Sequence, residues 1–297
     1  MPALTPRLIG YVTAAYVAGG LALFGHWALT GSFDLTQFYF RYIGAAFLIG
    51  AALVETVLCL SVHRGFGPGE AMGTAWLLLG MGGASRAVGY FSRHLLAYHP
   101  GIAGLSPDDA KLLDDFGRDL AGPLAMTIQA VALWIALRVH AKLGLESSFT
   151  PADWILLGAV SAFGLSQVVQ LPGWIAEAAS PPSLQWLIGW SMYPLLSILL
   201  AAAIALRRRI GPLRPGLFAQ CWGSYTAGIL LTALGIALNE LIAREIIRWP
   251  WDAGFWLVWY PAAAAYACAP LYQRMAMRRL ECWELDESAL GDTRRRD

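Results

Sequence analysis

Charge is what this chain has least of. Asp, Glu, Lys and Arg make up 14% of its 297 residues, against about 25% in an ordinary soluble domain. The formal net charge of +1 is uninformative as a total, and its distribution along the chain carries the information; no nucleic-acid partner is expected. Lysine is scarcest: only Lys111 and Lys142 occur. Neither falls in an apolar stretch, which leaves a retinal Schiff base without an attachment point. There is no Walker-type Gly-x-x-x-x-Gly-Lys, no His-Glu-x-x-His, no Gly-x-Ser-x-Gly and no Rossmann glycine motif in a strand–helix context. The five histidines lie near the ends of apolar blocks or in a loop, away from the mid-bilayer position that an intramembrane serine or metal protease needs. Four cysteines, Cys59, Cys221, Cys268 and Cys282, show no CxxC or zinc spacing; they read as unpaired packing residues.

What the chain has in excess is apolar sequence. Hydrophobic types make up 57% of the residues and the mean hydropathy is +0.53. The apolar residues sit in long blocks, so the surplus faces lipid. A bilayer core about 30 Å thick takes about 20 helical residues. Eight stretches meet that length, at about 8–29, 38–62, 70–92, 120–141, 152–176, 184–206, 217–243 and 253–274. Gly65-Phe66-Gly67-Pro68-Gly69, Thr150-Pro151, Pro181-Pro182, Gly211-Pro212 and Trp249-Pro250 are among the breakers between them. Membrane strands would alternate over about ten residues, whereas these blocks are continuously rich in Ala and Leu. Small residues recur four apart at Gly80/Ala84, Gly83/Ala87, Ala263/Ala267 and Ala265/Ala269, a spacing that lets helix backbones approach closely.

With the N-terminus inside, the inner segments hold fourteen Lys and Arg residues and the outer segments six. The positive-inside rule then places both ends in the cytoplasm. The expected fold is therefore an all-α polytopic bundle of eight transmembrane spans with N- and C-termini cytoplasmic, in a bacterial inner membrane. Residues 1–280 form one membrane domain, and 281–297 a charged cytoplasmic tail. The first block reads as a retained helix, being longer than a cleaved signal's apolar region. No lipidation signature is present. The outer loop 93–119 carries Ser106-Pro107-Asp108-Asp109, an N-cap, a first-turn proline and two carboxylates, which predicts a short helix there. No internal repeat of the inverted-transporter kind is evident.

Ionisable groups in the spans are the best functional pointers, because a charge at the bilayer centre costs about 2.5 kcal/mol or more. Counting from span midpoints puts Glu55 about 7 Å inward and Arg86 about as far outward. On that count a direct ion pair would have to bridge about 15 Å. Gln129, Gln167 and Gln170 share the centre or outer half. Asn239, Glu240 and Arg244 lie at the outer rim of span seven, with Glu240 and Arg244 spaced as an i,i+4 pair. The pattern suggests a polar cavity open to the outside, with Arg86 as its electropositive centre and the glutamines as walls. The alternative use of the glutamines is as interhelical glue. His26 and His94 near outer helix ends, with His63 and His140 near inner ones, make a second pattern, the two-tier ligation of a b-type haem carrier. The tryptophans Trp249, Trp251, Trp256 and Trp259 read as an interfacial belt.

The leading functional expectation is a non-enzymatic multi-pass membrane protein. It would either bind an amphipathic ligand, a lipid or a quinone, through the outer-half cavity, or serve as a subunit of a larger complex with other membrane subunits or further copies of itself. A haem b or quinone electron-transfer subunit is the first alternative. A small transporter or intramembrane enzyme using Glu55 and Arg86 is the second.

Overall fold

In hydrocarbon every backbone N–H and C=O needs a partner within the chain, and the apolar blocks meet that demand as helices. The computed structural model describes residues 4–97, 99, 101, 104–142, 148–177, 184–210, 216–243, 246 and 254–293, and no strand occurs among them. In chain order the helices are α1 (Pro6–Thr30), α2 (Asp34–His63), α3 (Ala71–Tyr90), α4 (Pro107–Ala141), α5 (Pro151–Glu177), α6 (Leu184–Trp190), α7 (Met192–Ile210), α8 (Leu217–Ala243) and α9 (Gly254–Thr293). Three stretches are wound as π-helix: Tyr39–Gly44 within α2, Phe91–Ala97 continuing α3, and Gly117–Ala121 within α4. The expected cap holds, since the Ser106 hydroxyl accepts from the Asp109 N–H at 3.2 Å with Pro107 at the first position. The helix it starts runs on without a break into the fourth apolar block instead of stopping as a surface element.

Six helices close a ring. α2 packs on α3, α3 on α4, α4 on α7, α7 on α8, α8 on α9, and α9 back on α2. The first and fifth blocks stay outside it: α1 touches α9 and the start of α2, and α5 packs on α7. α5 is fastened at its N-terminus. Thr150 and Asp153 form a reciprocal capping box, and Arg208 of α7 grips the Asp153 carboxylate with two bonds of 2.6 and 2.8 Å.

Among the described residues, six helices are long and apolar enough to cross a membrane: α1, α2, α4, α5, α7 with its approach from Trp186, and α8. α3 and α9 are not among them. α3 carries Arg86 and five glycines in twenty residues. α9 carries tryptophans, tyrosines, Pro261 and Pro270 in its first half. The same composition explains their place within the ring. Gly80 and Gly83 of α3 lie against α2, where an added Cβ would stand 3.2 Å from Cys59 Cβ and 2.9 Å from Thr56 Oγ1; Gly82 faces Gln129 of α4. The aromatic rings of α9 seat on glycines of its neighbours: Trp259 on Gly235, Tyr260 on Gly44 and Tyr266 on Gly228. Large rings set in glycine gaps give close interhelical packing that aliphatic hydropathy does not register.

At the end where α2, α4 and α7 finish, the ring's interior is filled. Trp76 and Trp222 lie 5.7 Å apart, packed with Cys59, Val62, Leu79, Leu133, Leu199, Leu200 and Tyr225, all of them buried. Cys59, Cys221 and Cys268 are free thiols, as expected; the Cys282 side chain lies outside the described residues.

Gly228 and Gly223 of α8 provide a matched test. A methyl at Gly228 would meet the Tyr266 ring at 2.9–3.1 Å, whereas one at Gly223 meets nothing within 4 Å. Thermal denaturation of detergent-purified variants should show Gly228→Ala less stable than wild type. Gly223→Ala should be neutral or more stable, by up to about 1 kcal/mol from helix propensity. Equal effects at the two sites would contradict the ring-in-gap packing.

Candidate functional site

The other end of the ring is open. A cavity of about 500 Å³ occupies it, walled by all six ring helices and by α6. Its floor is built where α2 and α4 pack against glycines of α3. Glu55 and Gln129, each 1% exposed, press against the adjacent glycines Gly83 and Gly82. A Cβ at Gly83 would stand 3.3 Å from Glu55 Cδ, and one at Gly82 would stand 3.4 Å from Gln129 Cδ.

Arg86 donates from Nη2 to Glu55 Oε2, and Tyr266 lays its ring 4.3 Å from the guanidinium carbon. The pair is almost wholly enclosed, with side-chain exposures of 14% for Arg86 and 2% for Glu55. This corrects the expectation that about 15 Å would separate the two groups. Midpoint counting assumes that neighbouring helices are centred at one depth, but side-chain contacts set the stagger of α2 and α3. Cys59 seats on Gly80 and Thr56 on Gly83, so Glu55 faces a point less than one helical turn from Arg86. The pairing also changes the electrostatics, because Arg86 is not a lone positive centre.

Of the residues singled out by sequence, Arg86, Glu55, Gln129, Asn239 and Glu240 line the cavity together. Gln167 and Gln170 do not. Both sit on α5, outside the ring, where Gln167 is buried with its Nε2 donating to Ser166 Oγ at 3.4 Å. Their polarity gave no clue that α5 is peripheral. Glu240 accepts from the Tyr193 hydroxyl at 2.5 Å; Arg244, its expected partner, lies outside the described residues. Among the four histidines, His94 lines the cavity and is 3% exposed. His63 shares its Nδ1 with the Gly73 carbonyl and His140 with the Ala136 carbonyl, each at 2.8 Å, and neither lines the cavity. His26 is on α1, outside the ring. Among the described residues, no three His, Cys, Asp or Glu side chains cluster to hold a metal ion. Trp259 lines the cavity wall. Trp249 and Trp251 and the Trp256 side chain lie outside the described residues.

Sequence reading missed the rim. The π-wound stretches of α3 and α4 meet here, and that of α3 also touches that of α2; π-turns concentrate at functional sites. They aim Arg93, His94, Arg118 and Asp119 at the cavity. Arg93 bonds Asp114 at 3.1 Å, and Arg118 spans Asp114, Asp115 and Asp119 at 3.5, 2.7 and 2.8 Å. Just outside, Tyr42 of α2 stacks on His99 at 4.2 Å, and desolvation, then Arg41, hold that imidazole below its usual pKa. The sequence signal was present in Gly89 and Gly117: a Cβ at Gly117 would collide with the Gly89 carbonyl at 2.7 Å.

No protein-family model, curated protein or solved structure matches this chain.

Removing one member of a buried ion pair costs about 3–5 kcal/mol, whereas exchanging both for apolar residues of similar volume is often neutral. Glu55→Leu and Arg86→Met should therefore each lower thermal stability sharply. The double variant should recover most of the loss. Additive losses in this cycle, followed by denaturation of purified protein, would mean that the two groups do not act as a pair.

Proposed function

We propose that this chain is an eight-span membrane protein with both ends in the cytoplasm, and that it binds an amphipathic ligand, a lipid or quinone-type molecule, in the ring cavity from the outer side. The observation that carries the reading is the vessel shape. One end is packed with Trp76, Trp222 and Leu133; the other is a cavity of about 500 Å³ with a polar floor and aromatic walls at Trp186, Trp190 and Trp259. Binding sites for small molecules take this form, apolar walls with a few placed polar groups in about 300–1,000 Å³. A transporter would need a second opening where the aromatic plug lies.

The eight-span count rests on the packing of α3 and α9. Each runs between two helices that are long and apolar enough to cross, α3 between α2 and α4, and α9 between α8 and α2. Lipid contact is thereby spared for their polar and glycine-rich faces. The Lys/Arg distribution orients the bundle with the cavity outside.

A second reading, membership of a larger complex, draws on α9. At 40 residues it is about 60 Å long, twice a bilayer core. With the cavity on the outer side, where α9 contributes Trp259, Ala262, Ala263 and Tyr266, its C-terminal half would extend past the membrane on the cytoplasmic side.

Orientation is tested by thiol labelling in intact cells, with the native cysteines replaced by alanine. Ser106→Cys should react with an impermeant maleimide from outside, and Arg64→Cys only after permeabilisation; the reverse pattern would invert the bundle. For the ligand, mass spectrometry of gently purified protein should detect a retained lipid or quinone. The folded Glu55→Leu/Arg86→Met double variant should lose it. Equal retention by that variant would place the molecule elsewhere.

A further inference from the structure

The cavity that we read as a ligand site also restricts which head group fits it, and the inference below rests on that reading. Charge comes first. The ionisable carboxylates and guanidiniums lining the cavity are Arg86, Arg93 and Arg118 against Glu55, Asp119 and Glu240. Three positive and three negative groups sum to zero. The deepest positive charge, on Arg86, is already matched by Glu55 and covered by Tyr266. Nothing is left over to neutralise a carboxylate or phosphate, and a bare anion at the floor would meet the Glu55 carboxylate.

Hydrogen-bonding capacity comes second. Glu55 uses Oε2 for Arg86, while its Oε1 is buried without a partner; the Nε2 of Gln129 is likewise buried without a partner. A buried polar atom left unsatisfied costs about 1–3 kcal/mol, so this floor holds one unsatisfied acceptor, on the side chain packed against Gly83, and one unsatisfied donor, on the side chain packed against Gly82. A carbonyl fills only the donor. A hydroxyl fills both, donating its proton to Glu55 and accepting from Gln129. The walls supply the third constraint: Tyr90, Trp190, Trp259 and Tyr266 offer ring faces and edges around the space above the floor, which favours a flat ring over a branched polar head.

We infer that the cavity selects a neutral, ring-bearing hydroxyl amphiphile, a phenol or quinol head on an apolar tail, over the matching carbonyl, ether or anionic head. The hydroxyl stands between Glu55 Oε1 and Gln129 Nε2, the ring packs among the aromatic walls, and the tail points toward the mouth.

Three probes with one tail separate these chemistries: para-nonylphenol, which donates and accepts; para-nonylanisole, which only accepts; and para-nonylbenzoate, an anion. Each is titrated into the full-length protein in lipid nanodiscs, and bound probe is counted by native mass spectrometry with an unrelated membrane protein of similar size as background. The phenol should bind about tenfold or more tighter than the ether, a difference of about 1.4 kcal/mol, and tighter still than the benzoate. In Gln129→Leu, which leaves the Glu55–Arg86 pair intact, the phenol should weaken several-fold and the ether should fall to background. Equal binding of phenol and ether, or preference for the benzoate, would overturn the hydroxyl assignment while leaving the cavity as a ligand site. Binding of all three at background level would overturn the ligand site itself, and the assignment with it.

Discussion

The ion pair between Glu55 and Arg86 is the constraint around which the rest of this molecule is arranged. Two charges in the interior of an apolar bundle are tolerated only if each finds a compensating partner. The chain meets that demand by bringing the middle of α2 to the second half of α3. Glycines make the approach possible. Gly80 and Gly83 admit α2, Gly82 admits Gln129 of α4, and Gly228 of α8 opens the gap in which Tyr266 lies over the guanidinium. The glycine-rich α3 and the aromatic-rich α9 are thereby held within the ring, between helices that are long and apolar enough to cross a membrane. α1 and α5, which bury only 11% of their apolar windows, stand outside the ring altogether.

This division accounts for the two halves of the interior. On one side of the ion pair the ring is sealed by large apolar and aromatic side chains at native packing. On the other side the π-wound turns of α3 and α4 carry Arg93, His94, Arg118 and Asp119 to the rim. A floor that is polar but electrically balanced, under aromatic walls, is an environment for a molecule with a small neutral head and a greasy body.

Much of the fold was legible in the sequence because hydropathy and turn chemistry report it directly. The Ser106 cap, the turn at Gly65–Gly69 and the helix start at Pro151 correspond to observed features, while the breakers Pro181-Pro182, Gly211-Pro212 and Trp249-Pro250 lie outside the described residues. Depth was not legible. Counting from midpoints separated Glu55 from Arg86, since the stagger of α2 on α3 depends on which glycine each side chain seats upon, and no one-dimensional count contains that. Ring membership was equally hidden. Gln129 on α4 and Gln167 on α5 look alike in sequence, yet one lines the cavity and the other lies on a helix outside the ring. That Trp259 packs on Gly235 and lines the cavity was equally unmarked in the sequence. The rim depends on π-turns, and nothing in the apolar periodicity marks where an extra residue is inserted into a turn.

The central claim, that the balanced polar floor and the aromatic walls enclose a bound amphiphile, is tested most directly by cryo-electron microscopy of the protein in lipid nanodiscs, with an antibody fragment added for alignment. The account predicts continuous non-protein density inside the ring, with its polar end within hydrogen-bonding distance of Glu55 and Gln129 and its body between Trp190 and Trp259. A ring in which Trp190, Trp259 and Tyr266 have collapsed onto the Glu55–Arg86 pair, leaving no enclosed density, would contradict it.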